Sequence, residues 1–355
     1  MADMVPVVSS SNDEQAIFDH LPDPVILLGA RREVVFANRA AVDLLQASYR
    51  ERDLAQSFRH PVVLEIADAV LGGASERNAE IDILIPVPRT LLARAVALPP
   101  GQSPARAMLT FRDMTDSRQI EQIREEFVAN VSHELRSPIS AIVGFIETLR
   151  GPAREDPVAR ERFLGIMAEE AQRMARLIDD LLSLSRVEAT EHVRPRELVD
   201  IPAILGAVRD LLGRRASERQ MEIRLELGEG LVPIPGNRDE LSEVFHNLID
   251  NAIKYGRAGT PIRVAAQLVE RIPHLGVAGV AIAVENHGEG IEAEHIPRLT
   301  ERFYRVDKGR SRKLGGTGLG LAIVKHIVSH HRGRLAIESA VGTGARFTVY
   351  LPGRS

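Results

Sequence analysis

Two long segments with helical periodicity, joined by a short loop, constrain the fold of this 355-residue chain more than any other feature. The first segment carries apolar residues at helical spacing: Phe127, Val131, Leu135, Ile139, Ile142, Ile146 and Leu149. A second periodic segment spans residues 157–188, and Gly151-Pro152 separates the two. Apolar residues three and four apart form one stripe on a helix, so the pattern predicts two long helices in an antiparallel hairpin.

The hairpin alone would bury too little apolar surface to be stable. We therefore expect a homodimer, in which two hairpins form a four-helix bundle. Packing of the hairpin against a neighbouring domain of the same chain is the alternative.

The polar face of the first helix carries an unusual group of residues. At 100° per residue, His133 lies about 200° from both Val131 and Leu135, so it should point away from the apolar stripe. Ser137 shares the face of His133, and Pro138 removes a backbone donor in mid-helix. The sequence predicts a bent helix with an exposed His-Glu pair, His133-Glu134, beside the bend.

Composition excludes several functions. The net charge is -4, which does not indicate a nucleic-acid partner. The chain has no cysteine, so disulfides and thiolate metal sites are excluded. The adjacent pair His330-His331 is more typical of a surface than of metal ligands. The sequence contains no run of 18 apolar residues, so it predicts no membrane span. We expect a cytoplasmic protein, or the cytosolic part of a membrane-bound parent.

The pattern along the chain predicts a multidomain α+β protein. Residues 1–13 read as a polar tail. Residues 14–115 alternate short strands and helices, with a hairpin around Gly29-Ala30-Arg31-Arg32. Residues 116–190 form the helical hairpin, and residues 191–355 mix strands with helices at 201–218, 238–255 and 319–331.

The segment RDELSEVFHNLIDNAIKYG predicts an amphipathic helix with a polar face. Glu243, Asn247, Asn251 and Lys254 share that face at spacings of four, four and three. Two amide oxygens one turn apart can ligate Mg²⁺, which usually takes substrate phosphates as further ligands. An ordinary solvated polar face is the alternative reading.

Two glycine-rich segments follow. In VENHGEGI, Gly288 and Gly290 come directly after an apolar strand and allow a close approach of the backbone to a ligand. In LGGTGLGLAIVKHI, four glycines precede an apolar helix, whose N-terminus would favour an anion. The Walker A pattern is absent, and the charged segment before the glycines is not typical of a Rossmann strand.

Together these segments resemble the sensor histidine kinases of two-component systems over residues 116–355. FVANVSHELRSP is similar to the H box of that family, HNLIDNAIKYG to its N box and NHGEGI to its G1 box. ERFYRVD is similar to the F box, GGTGLGLAI to G2 and GTGARFTVYLP to G3. The subgroup resembled is the phosphate-regulon type. Residues 14–115 resemble a PAS sensor domain, and the resemblance implies a GHKL-type ATP-binding α/β sandwich over 191–355.

The resemblance implies a role for each matching residue. His133 would accept the phosphoryl group, Glu134 would orient its imidazole and act as a general base, and Ser137 would support dephosphorylation of the partner. Asn247 and Asn251 would hold Mg²⁺. The remaining ATP contacts would come from Lys254, Tyr255, Asn286, Gly288, Gly290, Phe303, Arg305, Gly316, Thr317, Gly318, Leu319 and Gly320, with residues 292–315 as a lid. The partner would be a response regulator, and the PAS ligand stays unassigned.

One residue departs from the family pattern. The G1 box usually begins with an aspartate that accepts a hydrogen bond from the adenine amino group, and this chain has Asn286 there. An amide oxygen accepts such a bond only neutrally, so we expect weaker ATP binding or altered base selectivity. A pseudokinase scaffold that does not transfer phosphate is the alternative function.

Overall fold

The computed structural model describes residues 17–45, 52–84, 87–101, 104–190, 194–307, 309 and 314–353. The predicted tail, residues 1–13, and part of the predicted lid lie outside the described residues. The chain divides into two compact units, Met1–Val128 and Ala129–Ser355.

The first unit is built on an antiparallel sheet of five strands. The strands are β1 (Val25–Leu28), β2 (Val34–Ala37), β3 (Glu76–Ile83), β4 (Arg89–Ala97) and β5 (Ala107–Asp113). Their order in the sheet is β2-β1-β5-β4-β3. The helices α1 (Arg39–Leu45), α2 (Leu54–Ser57) and α3 (Pro61–Leu71) lie between β2 and β3 in sequence. α3 packs against β3, β4 and β5, and its Val63 and Ile66 join Leu109 and Phe111 in the core. The predicted PAS-like fold is confirmed.

A buried asparagine holds together the segments that flank β1 and β2. Asn38 follows β2 and is fully buried. Its Oδ1 accepts hydrogen bonds from the backbone N–H groups of Val25 and Ala41, both at 2.9 Å. Its Nδ2 donates to the carbonyl of Asp23 at 3.0 Å. Because buried polar groups are costly unless paired, these bonds tie β1, β2 and α1 together.

Two long helices form the hairpin that the sequence predicted. α4 spans Thr115–Arg150 with Pro138 inside it, and α5 spans Pro157–Thr190. The rings of Phe145 and Phe163 stack across the hairpin with their centroids 5.2 Å apart. Asp156 begins α5 by accepting the backbone N–H groups of Val158 and Ala159, each at 3.0 Å, as an N-cap residue does.

The rest of the second unit is an α/β sandwich. Its strands are β6 (Leu198–Val199), β7 (Ile223–Leu227), β8 (Ile234–Pro235), β9 (Ile262–Val269), β10 (Gly279–Asn286), β11 (Arg334–Ala340) and β12 (Gly344–Pro352). The main sheet has the order β11-β12-β10-β9-β7, and β6 pairs with β8. Only the β7–β9 pair among the described ladders is parallel. The helices α6 (Ile201–Glu218), α7 (Arg238–Tyr255) and α8 (Gly320–His330) pack against this sheet.

The structure corrects two predictions of detail. β7 was not predicted, because its sequence IRLEL is short and charged at alternate positions. The expected surface position of His330 and His331 is wrong, since they are 3% and 2% exposed. Adjacent histidines at the end of an apolar helix carry no periodic signal of burial, and the partners that bury them lie about ninety residues away in sequence.

Candidate functional site

A cavity of about 460 Å³ opens in the second unit beside α7. Its walls come from α7, the loop after β10, the segment before α8 and one face of α5. Of the ligand-binding residues predicted from sequence, those that line it are Asn247, Asn251, Lys254, Tyr255, Asn286, Gly290, Arg305, Gly316, Thr317, Gly318 and Gly320. Gly288, Phe303 and Leu319 are not among the lining residues.

The polar face of α7 points into the cavity, as its spacing predicted. The helix begins at Asn237, whose Oδ1 accepts from the backbone N–H groups of Asp239 and Glu240. Leu248 and Ile249 on the opposite side are fully buried. This apolar anchoring leaves Asn247 and Asn251, one turn apart, in the cavity wall.

An ion pair beside the two asparagines was missed at the sequence level. The Nζ of Lys254 lies 2.8 Å from Oδ2 of Asp250, and Arg215 also pairs with that carboxylate. Asp250 and Lys254 stand four residues apart, which is the spacing of ion pairs on a helix. His246 also lines the cavity, and burial lowers the pKa of its imidazole.

Close backbone approach explains the glycines of the loop after β10. Gly290 has a φ of +75°, and a Cβ there would lie 2.0 Å from the carbonyl oxygen of Ala340. A Cβ on Gly288 would lie 2.8 Å from the carbonyl oxygen of Tyr255. These positions therefore require glycine. Gly288 packs closely against the end of α7, whereas Gly290 lines the cavity.

The segment before α8 is tied to the segment that carries Phe303. Gly318 has a φ of +79°, and its carbonyl accepts the backbone N–H of Phe303 at 2.8 Å. Phe303 itself has a φ of +64°, which is uncommon outside glycine. Leu319 is fully buried just before α8, and a Cβ on Gly320 would lie 3.0 Å from Oδ1 of Asn247. This packing holds the N-terminus of α8 against the α7 face.

Carboxylates of α5 and α7 form an acidic side of the site. Thr317 donates its hydroxyl to Oδ2 of Asp180 at 2.6 Å, and Ser183 donates to Oε2 of Glu243 at 2.7 Å. Burial raises the pKa of both carboxyl groups. Oxygen donors of this kind, with the amides of Asn247 and Asn251, suit a hard divalent cation such as Mg²⁺.

The predicted phosphoacceptor group lies on α4 outside the cavity. His133 and Ser137 are exposed, as their helical phase predicted. Glu134 is partly buried between two guanidinium groups, 2.7 Å from Nη2 of Arg173 and 3.2 Å from Nη2 of Arg305. Arg305 also donates to the carbonyl of Thr317. A direct ionic contact thus joins the residue next to His133 to the cavity wall.

Three family models match successive parts of the chain. A PAS domain model matches residues 14–77. The His Kinase A (phospho-acceptor) domain matches residues 123–190. The model of histidine kinase-, DNA gyrase B- and HSP90-like ATPases matches residues 236–355.

Whole-chain relatives agree with these matches. The chain is 35% identical over 333 residues to the phosphate regulon sensor protein PhoR of Pseudomonas aeruginosa, covering 93% of this chain and 72% of that protein. It is 30% identical over 346 residues to the sensor histidine kinase WalK of Bacillus subtilis, covering 95% of this chain and 54% of that protein. The chain belongs to the sensor histidine kinases of two-component systems. The match to PhoR supports the resemblance to the phosphate-regulon type.

A solved structure supports the fold. The histidine kinase ThkA, in a complex with the response regulator protein TrrA, matches with a TM-score of 0.50 and 20% identity over 96% of this chain and 98% of that chain.

Among the helices that the structure describes, none combines the length and apolarity needed to cross a bilayer.

Proposed function

We propose that this protein transfers the γ-phosphoryl group of ATP to His133 and then passes it to an aspartate of a response regulator. The observation that carries the proposal is the ionic contact of Glu134 with Arg305. This contact links the helix of an exposed histidine to the wall of a cavity that has the character of a nucleotide site.

The residues of α4 supply the acceptor chemistry. One ring nitrogen of His133 would attack the γ-phosphorus, and the bond from that phosphorus to the β–γ bridging oxygen would break, releasing ADP. Glu134 would take the proton from the other ring nitrogen and hold the imidazole in the attacking tautomer. Phosphoryl transfer needs mainly positioning and charge neutralisation.

The cavity residues would hold ATP for this step. The N-terminus of α8 and the backbone of Gly316 and Gly318 favour phosphate oxygens. Asn247 and Asn251 would hold Mg²⁺, whose charge offsets that of the phosphates. Within the described part of the chain, Nε of Arg305 is buried without a hydrogen-bond partner. An unsatisfied guanidinium donor is suited to a phosphate oxygen.

The acceptor partner and the dimer follow from the family. A response regulator would approach the exposed face of His133, where the Ser137 hydroxyl could position water for the reverse, phosphatase reaction. The exposed apolar residues of α4 and α5 would pack in the homodimer. None of the comparisons supports the pseudokinase alternative.

Incubation with γ-labelled ATP and Mg²⁺ tests the proposal. We expect label on the wild type that is lost in acid and stable in alkali, as for a phosphohistidine, and none on His133→Gln. An exposed control, His20→Gln, should label like the wild type. No label on a wild-type protein that binds ATP would overturn the proposal and restore the scaffold alternative.

A further inference from the structure

Asn286 is a buried polar side chain of the cavity without a hydrogen-bond partner. It is the last residue of β10, where it pairs with Ile262 of β9 and Ala345 of β12. It is 7% exposed and lines the cavity. Within the described ranges, neither its Oδ1 nor its Nδ2 has a hydrogen-bond partner. The backbone is fixed from both sides, while the amide group is committed to no neighbour.

The part of the cavity around Asn286 has an apolar lining. Gly290, Ile291, Ala345 and Phe347 line the same cavity and are apolar or lack a side chain. The residues proposed to hold the phosphates lie elsewhere in the cavity, where Gly318 packs close to Phe303 and Arg305 and Gly320 packs close to Asn247. A nucleotide with its phosphates near α8 would therefore bring its base to Asn286.

An amide and a carboxylate read the edge of a base differently. A carboxylate only accepts hydrogen bonds, so it pairs with the 6-amino group of adenine and repels the 6-oxo group of hypoxanthine or guanine. An asparagine amide accepts through Oδ1 and donates through Nδ2. Since no described neighbour fixes the Asn286 amide, a half-turn about its last torsion presents either atom to the base.

We propose that Asn286 is a specificity-determining residue that lets this site take 6-oxopurine nucleoside triphosphates as well as ATP. The inference rests on the proposed function, in that the cavity must bind a nucleoside triphosphate. It follows that the amide donates to O6 of a 6-oxopurine and accepts from N6 of adenine, both as neutral bonds of similar strength.

Equilibrium dialysis of the full chain with labelled ATP and Mg²⁺, with unlabelled ATP or ITP as competitor, tests the proposal. ITP carries a 6-oxo group in place of the 6-amino group, so the ratio of the two Kd values isolates that position. We expect ITP to bind within about tenfold of ATP in the wild type. In Asn286→Asp the ratio should rise by about tenfold or more, because a charge-assisted bond is gained with ATP and lost with ITP.

Asn78→Asp is the matched control, since it adds the same charge at an exposed position of β3. It should leave the ratio unchanged. ITP binding more than about a hundredfold weaker than ATP in the wild type would overturn the inference and leave the nucleotide site standing. If the wild type bound neither nucleotide, both the inference and the proposed function would fall. The wild-type ratio decides the question even if Asn286→Asp does not fold.

Discussion

At the scale of single residues, the environment of Glu134 bears most directly on the proposed phosphoryl transfer. Its carboxylate lies between Arg173 and Arg305, and the side chain of Arg305 is 5% exposed. Two guanidinium groups therefore hold this carboxylate in place. Transfer of Arg305 from Glu134 to a phosphate of ATP would free the base at the moment when substrate is in place.

Replacement of Glu134 tests its proposed role as the general base. In Glu134→Gln the amide keeps the size of the side chain but cannot take a proton, so we expect the rate of autophosphorylation to fall by about 10²- to 10⁴-fold. The Kd for ATP, measured by dialysis, should stay within about twofold. Glu147→Gln, an exposed site on the same helix, should change neither quantity. A Glu134→Gln rate near that of the wild type would remove Glu134 from the chemistry.

Helical periodicity predicted which side chains share a helix face, but it could not predict their contacts with distant residues. The exposure of His133 and the placing of Asn247 and Asn251 on one face depend only on 3.6 residues per turn. Arg173 stands 39 residues from its partner Glu134, and Thr317 stands 137 residues from its partner Asp180. No local pattern encodes those distances. The sequence predicted which side chains share a face, and the structure supplied the contacts around them.

At the scale of elements, Pro138 sets the local stability of α4. It is buried within the helix and cannot donate to the carbonyl of Glu134. Pro138→Ala restores that donor, so we expect slower amide exchange in residues 135–142, with a helix more stable by up to about 3 kcal/mol. Hydrogen exchange read by mass spectrometry measures this, and Ser140→Ala controls for a general gain in helix propensity. Unchanged exchange in Pro138→Ala would mean that the proline does not loosen the helix.

The N-terminus of α7 depends on a neutral histidine. Nε2 of His331 accepts the backbone N–H of Asn237 at 2.9 Å, and its Nδ1 lies 2.8 Å from the carbonyl of Ile327. Both ring nitrogens are occupied, so this imidazole is not free to bind a metal with Glu240 and His330. Burial lowers the pKa of His331, against the opposing effect of the Ile327 carbonyl and Glu240; His330 and Arg194 lower it further.

This contact predicts a pH-dependent stability. The folded state binds fewer protons at His331 than the unfolded state, so the contribution is full above the ordinary histidine pKa of about 6.5 and is lost progressively as the pH falls below it. His331→Leu should cost about 1–3 kcal/mol at pH 7.5, because the N–H of Asn237 loses its acceptor. It should also flatten the fall in stability below about pH 6.5. Urea unfolding followed by circular dichroism measures both, with exposed His20→Leu as the control. A variant with the pH dependence of the wild type would contradict this assignment.

At the scale of the whole molecule, the hairpin leaves an apolar face that suits a second copy. On α4, Val143 is 49% exposed and Ile146 is 40% exposed. Others on the hairpin with large exposed apolar side chains are Ile139, Leu164, Ile178 and Leu182. Exposed apolar area of this extent on two paired helices is typical of a bundle completed by a partner.

The double variant Val143→Glu/Ile146→Glu places charges on that face. We expect the wild type to sediment as a dimer and the variant as a monomer with unchanged helix content. Val277→Glu, on a loop where the side chain is 46% exposed, is the matched control and should leave the mass dimeric. Sedimentation equilibrium decides between these outcomes, and a wild type that sediments as a monomer would contradict the four-helix bundle.

The architecture was predictable where segments were long and strongly periodic. α6 and α7 begin and end where the sequence predicted, because their apolar faces repeat over five turns. β6, β7 and β8 were missed, because two to five residues carry no measurable period and their pairing is set by distant strands. The domain boundaries proposed from sequence stay predictions.

The proposed function depends above all on acceptance of the phosphoryl group by the imidazole of His133. Peptide mapping by mass spectrometry under alkaline conditions, after incubation of the full chain with Mg²⁺ and ATP, tests it most directly. We expect one phosphorylated peptide that contains His133, with fragment ions that place the phosphate on this residue, and no such peptide from His133→Gln. Phosphate on any other residue of the wild type, with His133 unmodified, would show that His133 is not the acceptor.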